Sequence, residues 1–176
     1  MIANVKLLQV HNYEPVMLVP TMPEWHEYEN LQRASNYDNY WKDLANVLPH
    51  EEYTQAVQSE MIVEYFNESA QRYLDKNGSI IGWLSGKERR LDIAAWVQKI
   101  ELMPGQISCL YVSKLYAHAS VKNSVLYDIC EALAKVSEIE KCQMMRIAMP
   151  GKYRQLADTL RRRGAQLSHI DVDWAR

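Results

Sequence analysis

The residues most able to do chemistry lie in the last third of the chain. Ser108–Ser113 reads as a strand that runs through Leu115–Ser120 into an amphipathic helix beginning at Val121. A strand, a tight turn and a helix start form a device for holding a phosphorylated ligand, because the first helical N–H groups have no partner inside the helix. Other constellations point elsewhere. His26-Glu27 has no second histidine at position 30, which is Asn30, so the pair is not a zinc-protease motif. Glu51-Glu52 opens a helix, where acids suit the dipole, and Arg161-Arg162-Arg163 sits in a last helical turn, where cations suit it. Cys109 has no neighbour in sequence that would activate its thiol, and His169 reads as a surface or edge residue. The three cysteines (Cys109, Cys130 and Cys142) show no C-x-x-C spacing and sit in apolar patterns, so they read as reduced core thiols and no metal site is expected.

The elements that must position these residues follow from periodicity. Ile2–Val10 and Val16–Val19 read as a strand or short hairpin ended by Pro20 and Pro23. A helical half covers about residues 21–75. Trp25, Tyr28 and Leu31 share one face, Tyr37, Tyr40, Trp41, Leu44 and Val47 another, and Ser35 with Asp38 forms a capping pair. After Pro49, a helix from about Glu51 to Leu74 carries Tyr53, Ala56, Val57, Met61, Tyr65, Ala70 and Tyr73 as its stripe, and Asp75-Lys76-Asn77-Gly78 turns the chain.

From Gly78 the period becomes that of strands. Ser79–Ser85 is a strand. Leu91–Leu102 fits strand or helix on spacing alone. The strand at Ile107–Val112 is apolar on both faces, as is Met144, Met145, Ile147 and Met149. Helices fall between and after these two, the last carrying Tyr153, Leu156, Ala157 and Leu160 inwards with Gly164 as its C-cap glycine. Ile170, Val172 and Trp174 alternate with acids as a closing strand. The class is α/β, a mixed sheet flanked by helices, in one domain over residues 1–176 with the sheet core at about 78–176.

Composition narrows the partners. Apolar residues make up 48% of the chain, enough to bury a core and to argue against disorder. Eleven Tyr and five Trp stand against one Phe, an aromatic set with polar handles suited to half-exposed surfaces. The net charge of −2 hides an asymmetry: Glu24–Asp75 holds 11 acids against 3 bases, and the rest of the chain from Lys76 holds 16 bases against 10 acids. The first region invites a basic partner and the second an anion. A nucleic-acid footprint over the whole chain is not expected. No apolar run is long enough to span a bilayer and no basic-then-apolar leader is present, so a cytoplasmic location is expected.

The element order resembles the GNAT acyltransferase superfamily over roughly Gly78–Asp171. Gly78-Ser-Ile-Ile-Gly-Trp83 is similar to that family's second strand, and Leu110-Tyr-Val112 with Tyr116 to the end of its fourth. Its Arg/Gln-x-x-Gly-x-Gly/Ala loop falls on His118-Ala-Ser-Val-Lys-Asn123, with Val121 and Asn123 where glycine and a small residue stand in the family. The resemblance implies acetyl-CoA or a related acyl-CoA as cofactor. Val112 would lie beside the thioester. His118, Ala119, Ser120, Val121, Lys122, Asn123 and Ser124 would cradle the pyrophosphate, with Ser120 capping the helix and Lys122 supplying charge.

Ala157–Ala165 is only loosely similar to the family's later signature, and Leu160 stands where many members place a tyrosine acid; Tyr153 is a substitute on the same helix face. No catalytic base is assigned, Glu101 being conceivable. Two functions follow from the resemblance. One is N-acylation of a cationic small molecule or protein amine drawn by the acidic region. The other is a catalytically inactive, degenerate member, of the kind found among bacteriophage proteins, that binds a protein partner through its acidic, Tyr/Trp-rich helical half. A different α/β domain is the third possibility.

Overall fold

The computed structural model describes residues 2, 5–32, 64, 67–86, 89–149 and 153–165. The element order is β1 (Tyr13–Met17), α1 (residues 24–32), α2 (residues 67–75), β2 (Ser79–Ser85), β3 (Arg90–Met103), β4 (Ile107–Ala117), α3 (Asn123–Ile139), β5 (Met144–Ile147) and α4 (Arg154–Arg162). Among the described residues the sheet runs β1-β2-β3-β4-β5. The first four strands are antiparallel neighbours, and β5 lies parallel to β4. Antiparallel neighbours need only short turns, whereas a parallel pair needs a crossover, which α3 supplies.

Both faces of the sheet are covered, which explains the unbroken apolar runs of β2 and β3. On one face Trp83, Ile93, Ala95, Val97, Leu110 and Val112 pack with Leu126, Ile129 and Leu133 of α3 and Leu156 of α4. On the other, Ile80, Leu84, Ala94, Trp96 and Tyr116 pack with Trp25, Tyr28 and Leu31 of α1 and Ala70 of α2. A strand buried on both sides has no alternation to read, so the helix-like spacing at Ile93, Trp96, Val97 and Ile100 belongs to a strand.

Three expectations are corrected. Ile2–Val10 is not a strand: Val5–Leu8 forms a 3₁₀ turn, and the first strand begins at Tyr13. Leu8 and Val10 are buried, and the Trp83 indole N–H donates to the Leu8 carbonyl at 2.9 Å, so the apolar run serves as a plug under the sheet. β5 is not buried on both faces, since Met144 is 37% exposed while Met145 and Ile147 only partly pack against the α3 side. Ser120 does not cap α3, as described below. The α4 terminus is as expected: Gly164 takes φ 101° and the Gly164 and Ala165 amides return to the Arg161 and Leu160 carbonyls. The capping pair Ser35–Asp38, the Tyr37–Val47 stripe, most of the helix expected from Glu51, His169 and the closing strand at Ile170–Trp174 lie outside the described residues.

Candidate active site

β4 parts from β5 half-way along its length. The two pair from Cys109–Met144 to Val112–Ile147, and the Ala148 amide closes the ladder on the Val112 carbonyl at 2.8 Å. Beyond that point β4 runs on to Ala117 beside β3 alone among the described residues. The split coincides with a bulge. Val112 pairs with Val97 and Lys114 with Trp96, so Ser113 is the additional residue. Its effect shows in the packing: Leu110, Val112 and Leu115 all face α3, with two residues rather than one between the last pair. The bulge and the parting of β5 together leave backbone groups of β4 out of the regular ladder.

At the end of β4 the chain turns through His118–Lys122 into α3. The His118 amide donates to the Asp92 carbonyl at 2.8 Å, and the Val121 amide to the His118 carbonyl at 3.0 Å, which fixes the turn. Ser120 Oγ lies 2.7 Å from His118 Nδ1 and makes no cap. The N-cap is Lys122, with φ −73° and ψ 144° and no side-chain cap hydrogen bond. The Val125 and Leu126 amides use the Lys122 carbonyl, so those of Asn123 and Ser124 stay open at the start of a helix with no acid in its first turn.

His118, Ala119, Ser120, Lys122, Asn123 and Ser124 are exposed, while Val121 is partly buried and packs against the α3-side core. None of them has a positive φ. The turn therefore needs no glycine for its conformation, and Val121 turns its bulk into the protein. Among the residues expected at this site, the structure brings His118–Ser124 together around the α3 terminus and puts Val112 at the fork of β4 and β5.

The remaining candidates separate. The Tyr153 side chain is buried, its hydroxyl lies against the Ala117 backbone, and burial pushes its pKa up. Leu160 packs against the same core. Glu101 pairs across β3–β4 with Ser108, four positions before Val112 and so roughly 13 Å from the fork, too far to act as base there. Burial pushes the Cys109 thiol up and the Cys130 thiol up to about 12, which keeps both protonated. Arg161 and Arg162 flank a shallow depression with Asp158, while Arg163 stacks 4.7 Å over Tyr127 and stands 3.8 Å from Glu131. Among the described residues no group of His, Cys, Asp and Glu is placed to hold a metal.

Two clusters escaped the sequence reading. Asp92, 2% exposed, accepts hydrogen bonds from Ser85 Oγ and from Arg90 Nε at 2.7 Å and sits at a β3 bulge, while Glu27 of α1 accepts the neighbouring Leu91 amide at 2.5 Å. The second cluster gathers Tyr73, Ser113 and Lys114 around Trp96. A charged residue inside an apolar run, Asp92 between Leu91 and Ile93 in β3 and Lys114 between Ser113 and Leu115 in β4, was the available signal.

Neither a family model nor a curated protein sequence matches the chain. Solved structures do. A putative acetyl transferase from Pyrococcus furiosus superposes with a TM-score of 0.62 over 93% of this chain and 99% of its own, at 10% identity. The chain has the GNAT fold. An acetyltransferase of Trypanosoma brucei shares that GNAT fold at TM-score 0.53 and 10% identity, over 93% of this chain and 99% of its own. So does an aminoglycoside acetyltransferase from an uncultured soil metagenomic sample, solved in complex with sisomicin, at TM-score 0.57 and 10% identity over 94% and 95%. In this GNAT fold the crossover helix α3 of the parallel β4–β5 pair covers one face of the sheet, and α1 and α2 cover the other.

Proposed function

We propose that the protein is an acyl-CoA-dependent N-acyltransferase acting on an amine. The observation that carries this reading is the fork of β4 and β5 at Val112, leading directly to the uncapped start of α3. The residues there fit the cofactor. The open amides of Asn123 and Ser124, the dipole of a 17-residue helix and the exposed Lys122 suit a diphosphate, and no carboxylate stands in the first turn to repel it. Acetyl-CoA or a related acyl-CoA supplies the acyl group as an activated thioester.

The chain's own contribution is placement. His118–Ser124 bind the anionic end, and the β4 edge at Val112–Ser113 offers backbone groups to orient an extended chain and its carbonyl. Holding an amine beside that carbonyl supplies rate through orientation. The acidic region Glu24–Asp75 attracts the ammonium of the acceptor before it is deprotonated. The reaction belongs in the cytoplasm, where acyl-CoA is made.

Melting the protein against acetyl-CoA tests the reading. A ligand at about 100 times its dissociation constant adds roughly 2.7 kcal/mol to stability, a rise of several degrees. Lys122→Glu should remove most of that rise and Arg162→Glu should leave it. A flat response in the unaltered protein would overturn the acyltransferase reading. It would favour the second one, an inactive fold that docks a basic protein partner, which the buried Tyr153 and the core-packed Leu160 support.

A further inference from the structure

Trp96 is the hub of a polar cluster on the α1/α2 face of the sheet, opposite α3. Its indole N–H donates to Tyr28 Oη at 2.6 Å, the Tyr73 ring lies 4.7 Å from its own at 31°, and the Lys114 ammonium sits 3.9 Å over it. The bulge delivers two adjacent residues to this face. Since Leu110, Val112 and Leu115 all face α3, both Ser113 and Lys114 turn the other way, Ser113 towards Tyr73 and Lys114 onto Trp96.

What distinguishes the cluster is donors without acceptors. Tyr73 Oη and Ser113 Oγ are enclosed and close enough to share one hydrogen, and neither finds a partner of good geometry elsewhere among the described residues. Lys114 has no carboxylate within ion-pair distance among the described residues, and burial alone pushes its pKa down. Enclosed polar groups are normally paired, because an unpaired one has lost its water and gained nothing in exchange. A hydroxyl pair with a hydrogen to spare, beside a half-buried cation that has no carboxylate, calls for an acceptor of hydrogen bonds carrying negative charge.

We infer that Lys114, Ser113 and Tyr73 bind the carboxylate of a small acceptor substrate of the amino-acid type, one that carries a primary amine and a carboxylate together. The inference rests on the acyltransferase reading and names the substrate class of that same site. One cation and two hydroxyls match one carboxylate, whose two oxygens accept about four hydrogen bonds. A phosphate dianion would leave excess negative charge in a place short of water. Lys114 is two positions beyond Val112 on β4, roughly 7 Å along the strand. A carboxylate held at this level of β4 leaves the amine of the same small molecule on the side of the strand that leads to the fork.

The test uses the full chain and a panel of α- and ω-amino acids, each beside its own amide. Thiol release from acetyl-CoA reads turnover, and calorimetric titration reads binding without turnover. The acids should outperform their amides by about tenfold or more, the scale of one charge-assisted hydrogen bond. Lys114→Met should erase that preference by raising KM with kcat kept, Lys114→Arg should restore part of it, and both variants should keep the stabilisation by acetyl-CoA. Equal use of acids and amides, with acetyl-CoA still stabilising the protein, overturns the inference and leaves the acyltransferase reading standing. If acetyl-CoA does not stabilise the protein, that reading falls. The titrations then decide alone: acid-selective binding that depends on Lys114 supports the carboxylate site, and its absence overturns it.

Discussion

A lysine in a strand covered on both faces gives up hydration that one cation–π contact restores only in part, since such contacts are worth about 0.5–2 kcal/mol. For Lys114 the result is a pKa below its ordinary value, caused by burial. A folded state that disfavours the charged form binds fewer protons than the unfolded chain, so this residue's share of stability is complete above the unfolded value of 10.5 and is lost as pH falls. The unaltered protein should therefore gain on Lys114→Met as pH rises towards 10.5 in denaturant titrations. A pH-independent difference would show that the ammonium is fully hydrated. Tyr73 behaves oppositely. Burial raises its pKa from 10.0 to about 12, so its share of stability is whole below 10 and lost between those values. Tyr73→Phe should flatten alkaline unfolding in that window, and an unchanged alkaline limb would place the Tyr73 hydroxyl in water.

Helix ends decide stability at the next scale. Among the described residues, three helices close with a residue in the left-handed region, Asn77 (φ 61°) after α2, Lys141 (φ 57°) after α3 and Gly164 (φ 101°) after α4. At each, a second amide reaches back to a carbonyl of the last turn: Gly78 to Tyr73, Cys142 to Ser137 and Ala165 to Leu160. Glycine suits this conformation and asparagine tolerates it, but lysine pays about 1–2 kcal/mol there. Lys141→Gly should raise stability by about 0.5–1 kcal/mol after the cost of a freer unfolded chain, seen as a higher denaturant midpoint at unchanged slope. Gly78 has the reverse constraint, because an added Cβ would lie 2.4 Å from the Tyr73 ring and 2.7 Å from its carbonyl. Gly78→Ala should cost about 1–3 kcal/mol, and it should also weaken acid-over-amide discrimination by displacing Tyr73.

These elements also mark how far the sequence could be read. Turn chemistry at Asn77-Gly78 and Gly164 was legible because local backbone demands select residue types, and the strand–helix–strand order around α3 was legible from period alone. The 3₁₀ turn at Val5–Leu8 was not, since an apolar run that plugs a core looks the same as one that pairs. The bulge at Ser113 was invisible for a related reason: it appears only when β3 fixes the register on β4, and it alone decides that Ser113 and Lys114 share a face. The start of α3 lies two residues beyond the expected Val121, with Lys122 rather than Ser120 as N-cap, and the Ser120 hydroxyl bonds to His118 instead.

Across the whole molecule, the sheet divides two cores of unequal closure. β2 and β3 are sealed between α3 with α4 on one side and α1 with α2 on the other, and Ile80, Ile81, Trp83, Ile93, Ala94 and Ala95 are wholly buried. β5 has only four residues in an exposed-to-intermediate pattern, and α4 buries Leu156 alone. Opening free energy follows buried apolar contact, so native-state hydrogen exchange should find β2 and β3 near the global limit, with β5 and α4 opening well below it. That gradient bears on function, because the weakly held pieces border the fork at Val112 and the start of α3, to which Asn123 and Gln155 tie α4 at 3.3 Å. A ligand in the fork binds only when β4, β5 and α3 are in place, so acetyl-CoA should slow exchange in β5, α4 and the first turn of α3 while leaving β2 and β3 unchanged. Protection spread evenly over the sheet would mean that the ligand stabilises the fold without occupying the fork. Protection confined to the last turn of α4 would move the anion site to Arg161 and Arg162.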